Sequence, residues 1–124
     1  MNKNEVEELL IYKQYLELIY YTTTILLKYP KLERYSLNQD IRHTTYEGLE
    51  CILYAYRLYN RKEKIKYLIK LDIKLKFLKA LIRISYRKKY INAKNYAAWS
   101  KKIFNIGNML GGWIVSCQKH SNSN

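Results

Sequence analysis

The residues of this chain that are best suited to chemistry are lysines and arginines, and most of them lie in one stretch. Residues 61–91 carry twelve Lys and Arg against Glu63 and Asp72, which is +10 of the chain's total charge of +13. A domain with such an excess of cations favours a polyanionic partner. The predicted nucleic-acid contacts are Lys62, Lys66, Lys70, Lys74, Lys76, Lys79, Arg83, Arg87, Lys88 and Lys89.

Catalytic and metal-ligating patterns are missing from the same sequence. It contains no glycine-rich phosphate loop, no GxSxG and no HExxH. Cys51 and Cys117 are isolated, and His43 and His120 are the only histidines that could join them around a zinc ion, which needs four ligands. The expectation is a binding protein that is not an enzyme and that uses no catalytic residue, metal or cofactor.

The kind of nucleic-acid contact also follows from what the sequence contains. No helix-turn-helix, zinc-finger or RNP pattern is present, so contacts to the nucleic-acid backbone are favoured over readout of bases. The fourteen tyrosines could stack on unpaired bases. Most of them fall on or beside apolar stripes, which favours a role in the core or an interface. A basic solvated surface without a polyanionic partner is the plainer alternative.

The elements that must position these cations are predicted to be helices. A chain of 124 residues fits one domain, and its single proline and four glycines are too few for a sandwich or barrel. The predicted class is all-α, an up-down-up-down antiparallel four-helix bundle over residues 1–117 with a polar tail at 118–124. Its helices are expected at about 5–28, 36–59, 62–89 and 92–116.

Several local signals support these boundaries. Pro30 should end the first helix. Ser36 and Gln39 have the spacing of a capping box at the start of the second, and Asn92 is a suitable N-cap for the fourth. Gly48 predicts a close helix approach, and so do Gly107 and Gly111. The predicted core stripe of the first helix is Leu9, Leu16, Tyr20, Thr23 and Leu27; those of the second and fourth run from Leu37 to Tyr59 and from Tyr96 to Cys117.

The third segment fits two patterns. Apolar residues alternate from Ile65 to Phe77 as in a strand, and they also step by three and four as in a helix. A strand of that length would be unusual and has no hairpin turn after it, so a helix is favoured, with a core stripe of Leu68, Leu71, Leu75, Leu78 and Ile82. A second apolar stripe predicts an oligomer interface formed by Ile69, Ile73, Phe77, Leu81 and Ile84.

The predicted location of the protein rests on the absence of a membrane span and of a secretory signal from the sequence. No apolar stretch approaches the 18 residues of a membrane span, and no secretory signal pattern occurs at the N-terminus. A cytoplasmic protein without a membrane partner is therefore expected.

Two parts of the chain resemble a known family. The segment from Tyr29 to Leu37 with the following Gln39–Arg42 resembles a signature of small four-helix-bundle proteins. These include proteins encoded in intervening sequences of bacterial 23S ribosomal RNA genes, and Avd, the accessory variability determinant of diversity-generating retroelements. Residues 78–83, 89–91 and 99–113, with the ending Met109-Leu110-Gly111-Gly112-Trp113, look more like the Avd branch. The resemblance covers about residues 9–116. Leu32 departs from the small or polar residue that is common at its position, with no expected effect on function.

The resemblance implies a homopentameric barrel of bundles that binds the element's reverse transcriptase, its template RNA and the cDNA, without a polymerase site of its own. In such elements the template is copied with errors at adenines, and the product replaces part of a target gene. The alternative is a 23S intervening-sequence protein of the same fold, with an RNA-binding or unknown role. A third possibility is a basic bundle that binds an acidic protein or a membrane surface.

Overall fold

The computed structural model describes the backbone of residues 3–122 and the side chains of residues 5–6 and 8–119. This part of the chain forms four α-helices, one turn of 3-10 helix and no strand, which confirms the all-α class. The α-helices are α1 (Lys3–Leu26), α2 (Leu37–Arg57), α3 (Arg61–Arg87) and α4 (Ala93–Asn122). The 3-10 turn, η1 (Lys31–Glu33), lies between α1 and α2.

The helices pack as a closed four-helix bundle. Each helix contacts the next one along the chain, and α4 also packs against α1. Short connections between long helices produce this up-and-down arrangement, because the chain has to reverse direction at every connection. A single core of aliphatic and aromatic side chains fills the bundle, with Trp99, Tyr15 and Ile11 among its largest fully buried members.

The core stripes predicted for three of the helices are confirmed. On α3, the five residues from Leu68 to Ile82 are all at most 3 % exposed. The stripe on α4 is buried from Trp99 to Cys117, and that on α2 from Leu37 to Ala55, while Tyr59 beyond the end of α2 is exposed. The ambiguous third segment is therefore one continuous helix, because its 3,4 spacing places all five of these residues on the core side.

The stripe predicted for α1 is wrong. Tyr20 and Leu27 are 60 % and 83 % exposed, whereas Ile11, Tyr15, Leu18, Thr22 and Ile25 form the buried face. Apolar residues occur on several sides of this helix, so more than one set of residues fits a helical spacing. The true stripe includes a threonine whose hydroxyl accepts a hydrogen bond from Trp99 Nε1 at 3.0 Å.

The helix ends depart from prediction at two places. Ser36 is the N-cap of α2, but its hydroxyl donates to Glu33 Oε1 at 2.5 Å and makes no capping bond. The predicted capping box therefore does not form. At the other end, α4 continues to Asn122, past the predicted end at about residue 116, and residues 123–124 lie outside the described part. Asn92 caps α4 as predicted, since its Oδ1 accepts from Asn95 N at 2.8 Å.

A Schellman turn ends α3. Tyr90 N donates to Ser85 O at 3.0 Å and Lys89 N to Tyr86 O at 2.9 Å. This turn needs one residue in the left-handed conformation, normally glycine. Lys89 occupies that position with φ 66°.

The glycines of α2 and α4 have different surroundings. A Cβ on Gly48 would lie 2.8 Å from Tyr15 Cζ and would overlap the hydroxyl oxygen, so this glycine makes room for the buried ring of Tyr15 on α1. The hydroxyl of Tyr15 donates to Thr45 O, also on α2, at 2.5 Å. Gly48 thus makes room for a side chain, and a close approach of two helix backbones stays a prediction there. At Gly107 and Gly111 the predicted close approach is wrong within the described bundle, because no atom of the described residues lies within 4 Å of a Cβ at either position.

Candidate nucleic-acid interface

The cations predicted to bind nucleic acid form a basic face on the outside of α3 and the turn that follows it. We use "basic face" for these ten residues. Nine of them are exposed, and Lys74 is half-buried. The core leucines cover the opposite side of the helix, which is why a long run of lysines can stay in solvent while the helix remains anchored.

The basic face divides between the two flanks of the helix. Residues four apart on an α-helix are displaced by about 40° around the axis. The series Lys62, Lys66, Lys70, Lys74 therefore winds from the outer surface towards α2. Lys74 completes this path and forms an ion pair with Glu47 of α2 at 2.5 Å. Lys79 and Arg83 are displaced in the other direction, on the side of α3 that faces α4.

Ion pairs occupy only part of the basic face. Lys66 binds Glu63 at 3.1 Å, Lys76 binds Asp72 at 2.5 Å, and Lys88 lies 3.7 Å from Glu33. Exposed pairs of this kind contribute little to stability. Among the described residues the other members form no ion pair, and they are Lys62, Lys70, Lys79, Arg83, Arg87 and Lys89. These like charges repel one another, and an anionic ligand would relieve that repulsion.

The second apolar stripe of α3 lies between the two flanks. Ile69, Ile73, Phe77 and Ile84 are between 44 % and 58 % exposed. Leu81 does not belong to this exposed set, because it is only 6 % exposed and packs in the core. The physical reason is the same rotation: Leu81 lies about 40° beyond Phe77, which places it on the flank that faces the bundle.

A groove between α2 and α3 was not anticipated from the sequence. It has a volume of about 570 Å³, and two tyrosines line it. The rings of Tyr54 and Tyr67 are stacked, with centroids 4.7 Å apart and planes 14° from parallel. Lys70 Nζ lies over the ring of Tyr67, 5.2 Å from its centroid. We call this the tyrosine groove; its lining residues are Glu47, Glu50, Cys51, Tyr54, Tyr67, Ile69, Lys70, Ile73 and Lys74.

The thiols are poor candidates for reactive groups. Cys51 in the tyrosine groove and Cys117 on α4 are both buried. Burial raises the pKa of each thiol above its ordinary value, which disfavours the reactive thiolate.

Sequence reasoning also missed the role of Glu33. This carboxylate is 6 % exposed and accepts hydrogen bonds from Ser36 Oγ and, at 2.8 Å, from the hydroxyl of Tyr90. Those hydrogen bonds hold the pKa of Glu33 below its ordinary value, and Lys88 adds a smaller effect in the same direction. Tyr90 also packs against Tyr29, with ring centroids 5.5 Å apart. Glu33 therefore ties η1 to the end of α3, and we call this contact the η1 joint.

The η1 joint gives part of the Tyr29–Leu37 segment a structural role. One of its three charged residues, Glu33, is a buried partner of Tyr90, whereas Lys31 and Arg34 are exposed. The one signal in the sequence was a lone acid three residues after Pro30, at a helix connection.

Two further kinds of feature are missing from the described residues, a membrane-spanning helix and a cluster of metal ligands. Within residues 3–122, none of the helices combines the length and apolar character needed to cross a bilayer. The described residues also contain no group of three or more His, Cys, Asp or Glu side chains that could hold a metal ion.

Comparison with known proteins places the chain in a family. A solved structure of a protein of unknown function from Bacteroides thetaiotaomicron, from the S23 ribosomal protein family, has a similar fold, with a TM-score of 0.80 at 14 % identity. The match covers 87 % of this chain and 97 % of that one. No curated protein matches the sequence. The family model described as bAvd-like matches residues 9–117, and the chain therefore belongs to the bAvd-like family.

Proposed function

We propose that this chain is a non-catalytic accessory protein of a diversity-generating retroelement. It binds the element's reverse transcriptase together with the template RNA and the cDNA, and so supports mutagenic reverse transcription. Membership of the bAvd-like family supports this proposal. The observation that carries the nucleic-acid part is the basic face, where six exposed cations form no ion pair within the described residues.

The basic face would bind RNA chiefly through its phosphates. Lysine and arginine side chains that neutralise phosphates release condensed counterions, so the affinity falls steeply with salt. Such contacts are independent of sequence. This suits a protein that must hold a template while another protein copies it.

The exposed apolar stripe supports a second part of the proposal, which is self-association. Ile69, Ile73, Phe77 and Ile84 form an apolar line on a helix that is otherwise highly charged. Burying it against another copy would remove it from water. We propose a homo-oligomer, with the pentamer of the Avd resemblance as the expected form. A protein of 15.0 kDa by light scattering at micromolar concentration would contradict this assembly.

The test of the main proposal is co-purification of the chain with the reverse transcriptase of the same element and its template RNA. Both are expected to be retained, and retention of neither would overturn the proposal. The role of the basic face is tested with the double variant Lys79→Glu and Arg83→Glu. Its control is the double variant Lys13→Glu and Lys28→Glu. Both pairs change the total charge equally, and the control pair lies in and just after α1.

The double variant on α3 should weaken RNA binding and lower the slope of log K against log salt by about two, one for each phosphate that is no longer neutralised. The control pair should leave the slope close to that of the unchanged protein, and circular dichroism should show full helicity in both. An equal loss of affinity in the two variants would show that total charge, and not the basic face, governs binding.

A second candidate function is an RNA-binding protein of the 23S intervening-sequence type. The similar fold of the S23-family structure favours it. The location of the gene separates the two candidates. A gene within a 23S ribosomal RNA gene would favour the second candidate, whereas a neighbouring reverse-transcriptase gene would favour the first.

A further inference from the structure

The tyrosine groove has a free aromatic surface. One face of Tyr54 is covered by Tyr67, yet 53 % of Tyr54 remains exposed. Tyr67 is more buried and lies under the ammonium group of Lys70, so it forms a fixed support. A ring held from behind in this way presents its other face to a planar ligand with little loss of side-chain freedom on binding.

The charges along the groove restrict where an anionic ligand could lie. The α2 wall carries Glu47 and Glu50, and the α3 wall carries Lys70 and Lys74. Lys74 neutralises Glu47 at 2.5 Å. Glu50 forms no ion pair with any described residue, so it would repel a phosphate from the α2 wall. The favourable position for a phosphate is beside Lys70, on the α3 wall.

The groove is continuous with the basic face. Lys66 lies one helical turn from Lys70 on α3, and Lys62 lies one turn before Lys66. A strand whose phosphates follow these lysines would reach the groove with its bases turned towards α2. Ile69 and Ile73 line the groove at its α3 edge and also belong to the apolar stripe that the proposed assembly buries, so the base is assigned to Tyr54 on the α2 wall.

We propose that the tyrosine groove binds an unpaired nucleobase of single-stranded RNA or cDNA, stacked on Tyr54, with a phosphate of the same strand beside Lys70. This inference rests on the proposed nucleic-acid binding and adds the form of strand that the protein prefers. A paired base in a duplex already has a base on each face, so only an unpaired base can stack on the tyrosine. The volume of about 570 Å³ lies within the range of small-molecule sites.

The test compares Tyr54→Leu with Tyr46→Leu. Both residues are exposed tyrosines on α2, and Tyr46 lies outside the groove lining. Leucine keeps an apolar side chain and removes the aromatic face. Fluorescence anisotropy would measure binding to a labelled single-stranded RNA and to an RNA duplex with the same number of phosphates. The expected result for Tyr54→Leu is a loss of at least about five-fold on the single strand and no change on the duplex.

A second measurement maps the contact directly. An oligonucleotide that contains 5-iodouridine cross-links on irradiation to an aromatic ring stacked on the modified base. Mass spectrometry of the wild-type complex should place a cross-link at Tyr54. Cross-links elsewhere and none at Tyr54 would overturn the inference.

Each other outcome has a distinct meaning. Equal losses on single strand and duplex, or no loss on either, would overturn the stacking inference while the proposed function stands. If Tyr54→Leu changed the molecular mass of the protein in solution but left its affinity for single-stranded RNA unchanged, a second copy of the chain would cover the groove. That result would also overturn the stacking inference. If the wild-type protein binds neither RNA, the proposed nucleic-acid function fails as well, so the two failures are distinguishable.

Discussion

The polar contacts inside the bundle and the basic face on α3 use polar side chains in opposite ways. Inside, Thr22 accepts from Trp99, Tyr15 donates to α2, and Glu33 accepts from Ser36 and Tyr90. Each of these groups is buried and has its partner. On the basic face, six cations are exposed and form no ion pair within the described residues. The interior contacts link helices to one another. The six surface cations form no ion pair in the described part of this chain, and Lys70 lies over the ring of Tyr67 on its own helix.

This difference separates residues that hold the fold from residues free to bind a partner. A buried polar group without its partner is costly, so the interior contacts are expected to tolerate substitution poorly. An exposed lysine can be replaced at little cost in stability. Substitutions of the buried polar residues should therefore change the free energy of unfolding and leave the RNA affinity of the folded protein unchanged. Substitutions on the basic face should lower the RNA affinity and leave the free energy of unfolding nearly unchanged.

The largest effect on the interior side is expected for Gly48→Ala. The new Cβ would overlap Tyr15 Oη, so the ring must move and its hydrogen bond to Thr45 O is broken. After allowance for the better helix propensity of alanine, the expected loss is about 2 kcal/mol. Urea denaturation would measure it. The matched control is Gly111→Ala, where no atom lies within 4 Å and a gain of about 1 kcal/mol is expected. Destabilisation of similar size at both positions would show that Tyr15 does not decide the cost.

A smaller loss is expected for Thr22→Val, which keeps the shape of the side chain and removes the acceptor for Trp99 Nε1. Since both residues are fully buried, the indole N–H would be left without a partner, at a cost of about 1 to 2 kcal/mol. Thr24→Val on the exposed side of α1 is the control and should stay within about 0.5 kcal/mol. If Thr22→Val changed RNA affinity while the protein was still folded, the separation between interior and surface would not hold.

The smallest effect expected in the interior is a dependence of stability on pH, caused by Glu33 at the η1 joint. Hydrogen bonds from Ser36 and Tyr90 lower the pKa of Glu33 below its ordinary value of 4.5. A lowered pKa in the folded state means that the carboxylate contributes stability above pH 4.5, and that this contribution is lost as the pH falls through the lowered pKa. Glu33→Gln should therefore flatten the fall in melting temperature between neutral pH and about pH 3. Parallel curves for the two proteins would contradict the assigned role of Glu33.

How much of the fold could be predicted from the sequence depended on how many faces of each helix are apolar. On α2, α3 and α4 the predicted 3,4 stripes matched the core. On α1 the choice failed because leucines and isoleucines occur on several sides, and Thr22 gave no apolar signal although it is fully buried. Only the position of Trp99 on α4 explains why a threonine belongs there.

For the candidate site, the location of the charge was predictable and the contacts of single side chains were not. The count of lysines identified α3, but the Lys74–Glu47 pair and the Tyr54–Tyr67 stack depend on how α2 and α3 are aligned. Leu81 shows the same limit on a single helix. A stripe that steps by four residues rotates at each step, so its fourth member reached the core.

The Schellman turn at the end of α3 has an evolutionary consequence. A residue with a Cβ is strained in the left-handed conformation by about 1 kcal/mol, and glycine is not. The chain nevertheless has Lys89 at that position, with φ 66°. Selection for stability alone would favour a glycine there, because that single substitution would supply a more stable protein. Lys89→Gly would relieve this strain and at the same time remove one cation of the basic face, so stability and charge favour different residues at this position.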